Sequence, residues 1–168
     1  MANAITVTNN EYTILAAVKT ALGAAQISSV AVFKSITVAS SEEQAREAQF
    51  KGSQPAVIIL VGSPSEVRIV EADRGCVLPL TLLVTTKTNS GVDETSRIQE
   101  ALRLMNAAKN AVEIAMPAAA TGFGDEQEFH AKGAVWGEMT FDDSAKQPWI
   151  AFRLPVSFAF GLSTTTGH

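Results

Sequence analysis

Hydrophobic and polar positions follow two different periods along the chain, and these periods predict which segments are strands and which are helices. An apolar run, or an alternation of apolar and polar side chains, is typical of a strand. The segments with this pattern are 30–39, 55–61, 66–72, 76–88, 134–141 and 149–161. Residues 10–25 and 94–116 instead place apolar side chains three or four positions apart, as on one side of a helix.

The apolar strand 76–88 and the long helix after it are expected to form the centre of the fold. The run CVLPLTLLVTT is apolar almost throughout, which favours a strand buried on both faces. Asp93 and Glu94 lie in the first turn of the helix, where a carboxylate is favourable, and Pro117 ends it. The predicted buried stripe consists of Ile98, Ala101, Leu102, Met105, Ala108, Val112 and Ala115.

The helix at 10–25 and one further segment each begin with the residue spacing of a capping box. Thr8 and Glu11 open the first helix, whose predicted buried stripe is Ile14, Leu15, Val18 and Leu22. Ser40 and Glu43 open a second, short and polar segment that residues 52–54 break. Because that segment has little apolar surface, we expect it to be solvated or to act as a contact arm.

The remaining strands are expected to pair as hairpins. Asp73–Gly75 has the composition of a hairpin tip that returns into the central strand. Residues 134–141 and 149–161 form a second hairpin, with 135, 137, 139 and 141 on one face of its first arm. Pro79 and Pro155 cannot donate a backbone hydrogen bond, so each should lie at a sheet edge or a bulge.

These elements predict an α+β fold with one domain over residues 1–168. The sheet should be mixed and largely antiparallel, with the two main helices packed on one face and a β-hairpin added. The other face or an edge of the sheet is then left for a neighbour. We expect residues 1–8 and 162–168 to be flexible tails and residues 118–127 to be a mobile loop.

Composition narrows the class of protein further. Of the 168 residues, 46% are hydrophobic and 18% charged, which is typical of a globular chain. A net charge of −4 without a basic stripe argues against a general nucleic-acid binder. Cys76 is the only cysteine, so an intrachain disulfide is excluded. The sequence shows neither a secretory signal nor an apolar run long enough for a membrane span, so we expect a cytoplasmic protein.

The acidic residues around one histidine are the main candidate for chemistry. Glu128 and His130 are two positions apart and would share a strand face, with Asp125 and Glu126 just before them. A metal or acid–base site here competes with a solvated loop, because a metal site needs three or four ligands. Arg97 and Arg103 are interpreted as a solvated helix face. We therefore expect no catalytic residue, metal or cofactor.

The order of the elements carries a resemblance to a known family. A helix, a strand, a short polar segment, a strand beginning at Pro55, a hairpin into LPLTLLV, a long helix and the WGEMTF and WIAFRLPVSFAF hairpin follow one another. From about Tyr12 to Leu162, this order resembles the tail terminator proteins of long-tailed bacteriophages. Those small proteins form a ring, usually a hexamer, on the tail tube. The resemblance implies a structural virion protein that ends tube polymerisation and provides a surface for head–tail joining.

The resemblance also implies the partners and the place of action. The expected partners are other copies of the chain, the tail tube protein and a head–tail connector or neck protein, with no sequence-specific nucleic acid and no membrane. The expected location is the virion tail or neck, after assembly in the host cytoplasm. From charge and loop composition, the candidate interface residues are Glu43, Arg46, Glu47, Asp73, Arg74, Phe123 and Asp125.

Two other functions remain open from the sequence. The first is another phage neck, tail-completion or head–tail connector protein, since such proteins have similar size and composition, or an unrelated oligomeric scaffold. The second is a small hydrolase or metal-binding enzyme that uses the region around Glu128 and His130.

Overall fold

A computed structural model of the chain describes residues 10–70, 73–89, 91–115 and 134–162. Within these ranges there are three helices and nine strands. In chain order they are α1 (Asn10–Ala24), β1 (Gln26–Ile27), β2 (Val30–Ala31), β3 (Ser35–Ala39), α2 (Glu42–Ala48), β4 (Ala56–Val61), β5 (Ser65–Val70), β6 (Asp73–Lys87), α3 (Glu94–Ala115), β7 (Val135–Trp136), β8 (Thr140–Phe141) and β9 (Trp149–Leu162).

Seven of these strands form one sheet, and five of them lie side by side in the order β3-β4-β6-β9-β7. Strand β5 pairs with β6 beyond the end of β4, and β8 pairs with β9 on the same side as β7. Only β3 and β4 are parallel among the described pairs. The predicted α+β fold with a largely antiparallel sheet is confirmed.

The main core lies between one face of this sheet and helices α1 and α3. Alternation places every second side chain of a strand on this face, so the even-numbered positions 78–84 of β6 and 150–158 of β9 are buried here. Packing both helices on one face was predicted and is confirmed. The core contains Ile14, Val18 and Leu22 of α1, Ala101, Leu104, Ala108 and Val112 of α3, and Val57, Ile59, Leu78, Leu80, Leu82, Val84, Ile150, Phe152, Leu154, Val156 and Phe158 of the sheet.

Helix α2 packs on the opposite face of the sheet. Its Ala45 is fully buried against Ile58 and Leu83, the side chains that alternation turns away from α1 and α3. The expectation of a solvated segment or a contact arm was therefore incomplete. Because the contact is made by alanine, the sequence shows no large apolar residue that would indicate it.

The buried stripe of α3 is shifted from the predicted one. Leu104 is fully buried, whereas Ile98 and Leu102 are each 40% exposed and Ala115 is exposed. The predicted stripe and the observed stripe both contain Ala101 and Ala108, so helical spacing alone permits either one. The sheet and α1 select the stripe that contains Leu104.

The predicted strand 30–39 is broken in the structure. Strand β2 ends at Ala31 and β3 begins at Ser35. Between them Val32 and Phe33, which are neighbours in sequence, are both buried in the main core. Successive residues of a regular strand point to opposite faces, so burying both on one side requires the break.

Both strand prolines lie where the neighbouring strand is interrupted. The Gly62 N–H donates to the Pro79 carbonyl at 2.9 Å, between the end of β4 and the start of β5. The Gly137 N–H donates to the Pro155 carbonyl at 2.8 Å, between β7 and β8. The predicted irregularity is present, but β6 is a central strand rather than an edge.

The interruption between β7 and β8 also changes which face each residue occupies. Trp136 is opposite Val156 and Phe141 is opposite Phe152. Five steps along one strand therefore match four along the other, which is a one-residue bulge. As a result Val135 and Phe141 lie on opposite faces, and their predicted common face is wrong.

Several local predictions are corrected or lie outside the described residues. Asp73–Gly75 belongs to β6, where Asp73 pairs with Val70, so it is not a hairpin tip. The cap of α2 is Ser41 rather than Ser40, and its hydroxyl accepts from the Gln44 N–H at 3.2 Å. The Thr8 cap, the loop at 118–127 and both expected tails lie outside the described residues, apart from Leu162 at the end of β9.

Candidate functional site

Helix α2 is held to the distant β8–β9 region by an ion pair at its first turn. The Arg153 Nη1 and Nη2 donate to the two Glu42 carboxylate oxygens at 2.7 and 2.8 Å. The hydrogen bond from Arg153 lowers the pKa of the Glu42 carboxyl below its ordinary value of 4.5. A two-point contact between a guanidinium and a carboxylate fixes orientation as well as distance.

The end of α2 is held by a second set of contacts. Gln49 is buried, its carbonyl accepts from the Thr85 hydroxyl at 2.9 Å, and its amide donates to Asp142 Oδ2 at 3.3 Å. Next to it, the Phe50 ring meets the edge of Trp149 with ring centres 5.0 Å apart. Because both ends are anchored, the outward face of α2 is presented in a fixed orientation.

Three of the predicted interface residues lie on this outward face. Glu43, Arg46 and Glu47 are exposed on α2. Asp73 and Arg74 are at the start of β6, about nine residues or roughly 30 Å along the strand from the α2 contact at Leu83. The structure therefore does not bring these two groups together.

The other predicted residues cannot be placed. Phe123 and Asp125 lie outside the described residues, as do Glu126, Glu128 and His130. Within residues 10–70, 73–89, 91–115 and 134–162, no group of three or more His, Cys, Asp or Glu side chains is arranged to hold a metal ion. No helix in the described part of the chain is long and apolar enough to cross a membrane.

The part of the chain that the structure describes covers the α2 face of the sheet only in part. Beyond α2, a bare strand face of β6, β7 and β9 carries Pro79, Thr81, Val135, Pro155 and Ser157. Val135 is 63% exposed, and a shallow depression of about 240 Å³ runs between these strands. The bare strand face is nearly free of charge, in contrast with the outward face of α2.

The side chain of Arg97 is not solvated as predicted. Its side chain is only 15% exposed, and its guanidinium donates to the Trp149 carbonyl and to Glu94, both at 2.8 Å. It borders a cavity of about 220 Å³ between α3 and the β8–β9 turn. Arg103 does lie on the surface, where it pairs with Glu100 at 2.6 Å.

The residues that sequence reasoning missed are those whose partners are distant in sequence. Glu42 and Arg153 are separated by 111 positions, and Gln49 and Asp142 by 93. Of these, only Arg153 gave a signal, since it is the one charged residue within the alternating strand 149–161.

The comparisons with known proteins assign no family. No family model matches the chain, and no curated protein matches it. Among solved structures it is similar to a chain from the virion of a native gene transfer agent particle, with 14% identity and a TM-score of 0.41. The similarity covers 89% of this chain and 90% of that one. A likeness of this size assigns neither a family nor a function.

Proposed function

We propose that the chain is a structural virion protein that forms a ring on the phage tail tube. The ring ends tube polymerisation and then offers a surface for head–tail joining. In this proposal the chain acts by contact with other proteins and not by catalysis. Its partners are further copies of itself, the tail tube protein and a head–tail connector or neck protein. It assembles in the host cytoplasm and remains in the tail or neck of the virion.

The observation that carries this proposal is the unequal covering of the two faces of the sheet. Among the described residues, helices α1 and α3 cover one face, whereas only the seven-residue α2 covers part of the other. A tube grows because each added ring repeats the surface that it covers. A cap must instead match the tube on one side and present a different surface on the other.

The composition of the sheet face that carries α2 supports a docking role. The bare strand face has small side chains without charge, most of them apolar, and it lies beside the exposed charges Glu43, Arg46 and Glu47 of α2. An apolar centre next to a charged rim is the usual composition of a specific protein interface. The order of elements that resembles tail terminators agrees with this assignment.

The proposal is tested by adding the purified protein to tail tube protein during polymerisation and measuring tube lengths by electron microscopy. We expect shorter tubes with a ring at one end, and a solution mass that is a multiple of the 17.7 kDa chain. Thr81→Lys, on the bare strand face, should abolish capping while leaving the fold intact. Thr20→Lys, at an exposed position of α1, is the matched control. A monomer that leaves tube lengths unchanged would contradict the proposal.

A further inference from the structure

The two outer edges of the main sheet run in opposite directions. Strand β3 is parallel to β4, and β6, β9 and β8 then alternate in direction, so that β8 is antiparallel to β3. No described residue pairs with the outer side of either strand. A second copy placed beside the first, with its helices on the same side, brings its β3 antiparallel to β8.

Backbone directions at both edges fit such a contact. The Asp142 N–H donates to Ala151 O at 2.9 Å, so by alternation the backbone groups of Phe141 point away from β9. The hydrogen bond between Gly62 and Pro79 continues the β4–β6 register. By alternation, the backbone groups of Val57 then point away from β6 and toward β3. Ile36 lies beside Val57 in the parallel pair, so its own backbone groups point outward.

We propose that β3 of one copy pairs with β8 of the next, with Ile36 opposite Phe141. This register covers two side chains that are exposed at the edges, Val38 at 38% and Phe141 at 46%. It also brings exposed Lys34 close to exposed Asp143. Of the two neighbouring registers that direction permits, one sets Asp143 against Ile36, which would desolvate a carboxylate without a partner. The other sets Lys34 against Phe141 and loses the contact between Lys34 and Asp143.

The contact joins two different surfaces, so it repeats from copy to copy. The sheets then continue from one subunit to the next, with every α1–α3 layer on one side and every α2 on the other. The inference rests on the proposed ring and identifies its subunit contact. It stands or falls separately from tube capping, because the pairing is measured without tubes.

A disulfide between the two edges tests this pairing. Thr37 and Thr140 point to the α2 side and become opposite one another between copies, in a non-hydrogen-bonded pair whose short spacing suits a disulfide. Within one chain they are four strands, or about 19 Å, apart. The double variant Thr37→Cys and Thr140→Cys is made with Cys76→Ser, so that no native thiol remains, and its fold is checked by circular dichroism.

After mild oxidation, we expect a ladder of covalent oligomers on a non-reducing gel that ends at the subunit number of the ring. Either cysteine alone should give no species larger than a dimer. A matched control pairs Thr37→Cys with Ser63→Cys, which is exposed but lies outside the β8 edge. It should remain unlinked.

Two outcomes separate this inference from the proposed function. A ring whose cysteines stay unlinked would overturn the edge pairing, since another surface or another part of the chain would then occupy the edges, while the ring itself would stand. A ladder from a protein that leaves tube lengths unchanged would support the pairing and contradict the capping function.

Discussion

At the scale of single residues, the ion pair of Glu42 and Arg153 connects the charged surface of α2 to the longest strand pair. Both side chains are partly exposed, at 51% and 32%, so solvent screens much of their attraction. The ion pair therefore contributes more to the position of α2 than to the stability of the fold. It fixes the start of α2 over β9, while Gln49 and its partners fix the end.

This ion pair should make α2 anchoring sensitive to acid. The pKa of Glu42 is lowered by the hydrogen bond from Arg153. A carboxyl with a lowered folded-state pKa stabilises the fold fully above its ordinary value of 4.5, and this contribution is lost as the pH falls through the folded-state value. Urea unfolding at pH 6 and pH 3 should show a smaller loss of stability for Glu42→Gln than for the wild type.

Glu43→Gln is the matched control, because Glu43 is exposed on the same helix. It should keep the pH dependence of the wild type. Equal pH dependence of the two variants would mean that the Glu42 contact does not contribute to folding.

The corrected stripe of α3 gives a second prediction at this scale. Leu104 is fully buried, so Leu104→Ala should destabilise the fold by about 3 kcal/mol through lost burial and a cavity. Leu102→Ala is the same chemical change at a position that is 40% exposed, and it should cost less than about 1.5 kcal/mol. Denaturant unfolding of both variants checks this difference. Equal losses would contradict the observed stripe, and a larger loss for Leu102→Ala would support the stripe predicted from sequence alone.

At the scale of elements, two glycine–proline contacts set where the long strands change partners. In each, a glycine fills the gap between two short strands and donates its N–H to a proline of the long strand. A Cβ on Gly62 would lie 2.8 Å from Pro79 Cγ, and one on Gly137 would lie 2.9 Å from Pro155 Cβ. Neither position has room for a side chain without movement of the proline.

Substituting these glycines should therefore disturb the sheet locally. Gly62→Ala and Gly137→Ala should each destabilise the fold by about 1–3 kcal/mol, as overpacking usually does. Gly23→Ala in α1 is the control, because its Cβ would meet only Ile36 Cδ1, at an ordinary 3.6 Å. That change should stabilise the chain by up to about 1 kcal/mol. Thermal unfolding checks all three, and a neutral Gly62→Ala would show that the contact can relax.

The predictable part of these elements is the part determined by local pattern. Alternation identified β9 as a strand, and helical spacing identified the extent of α3. The bulge between β7 and β8 and the break before β3 escaped prediction because each depends on what lies opposite in the sheet. A one-residue shift changes the face of every following side chain, and no local pattern reports such a shift.

At the scale of the whole molecule, the sequence predicted the fold class and one helix layer but not the surfaces that the fold creates. The bare strand face combines residues of three strands that are separated by tens of positions in sequence. Of the predicted interface residues, only the α2 group is placed on a described surface. Charge patterns in a sequence identify exposed segments, but the arrangement of those segments depends on the pairing of the sheet.

The exposed charge of Arg46 tests which layer of the molecule meets the tail tube. Arg46 lies one turn from Glu42, so Arg46→Glu adds a like-charge pair on α2 that costs only a few tenths of a kcal/mol and leaves the fold intact. If the α2 side contacts the tube, the reversed charge should weaken capping at low salt. The defect should decrease as salt rises, because the screening length falls from about 10 Å at 0.1 M to about 3 Å at 1 M.

The matched variant Lys19→Glu makes the same change of charge on exposed α1, in the opposite layer. Because α1 and α2 lie on different faces of one sheet, a tube that contacts the α2 side should be capped normally by this variant. Tube lengths measured at two salt concentrations distinguish the layers. A capping defect in Lys19→Glu alone would indicate that the tube contacts the side of α1 and α3. Normal capping by both variants would show that neither Lys19 nor Arg46 takes part in the tube contact.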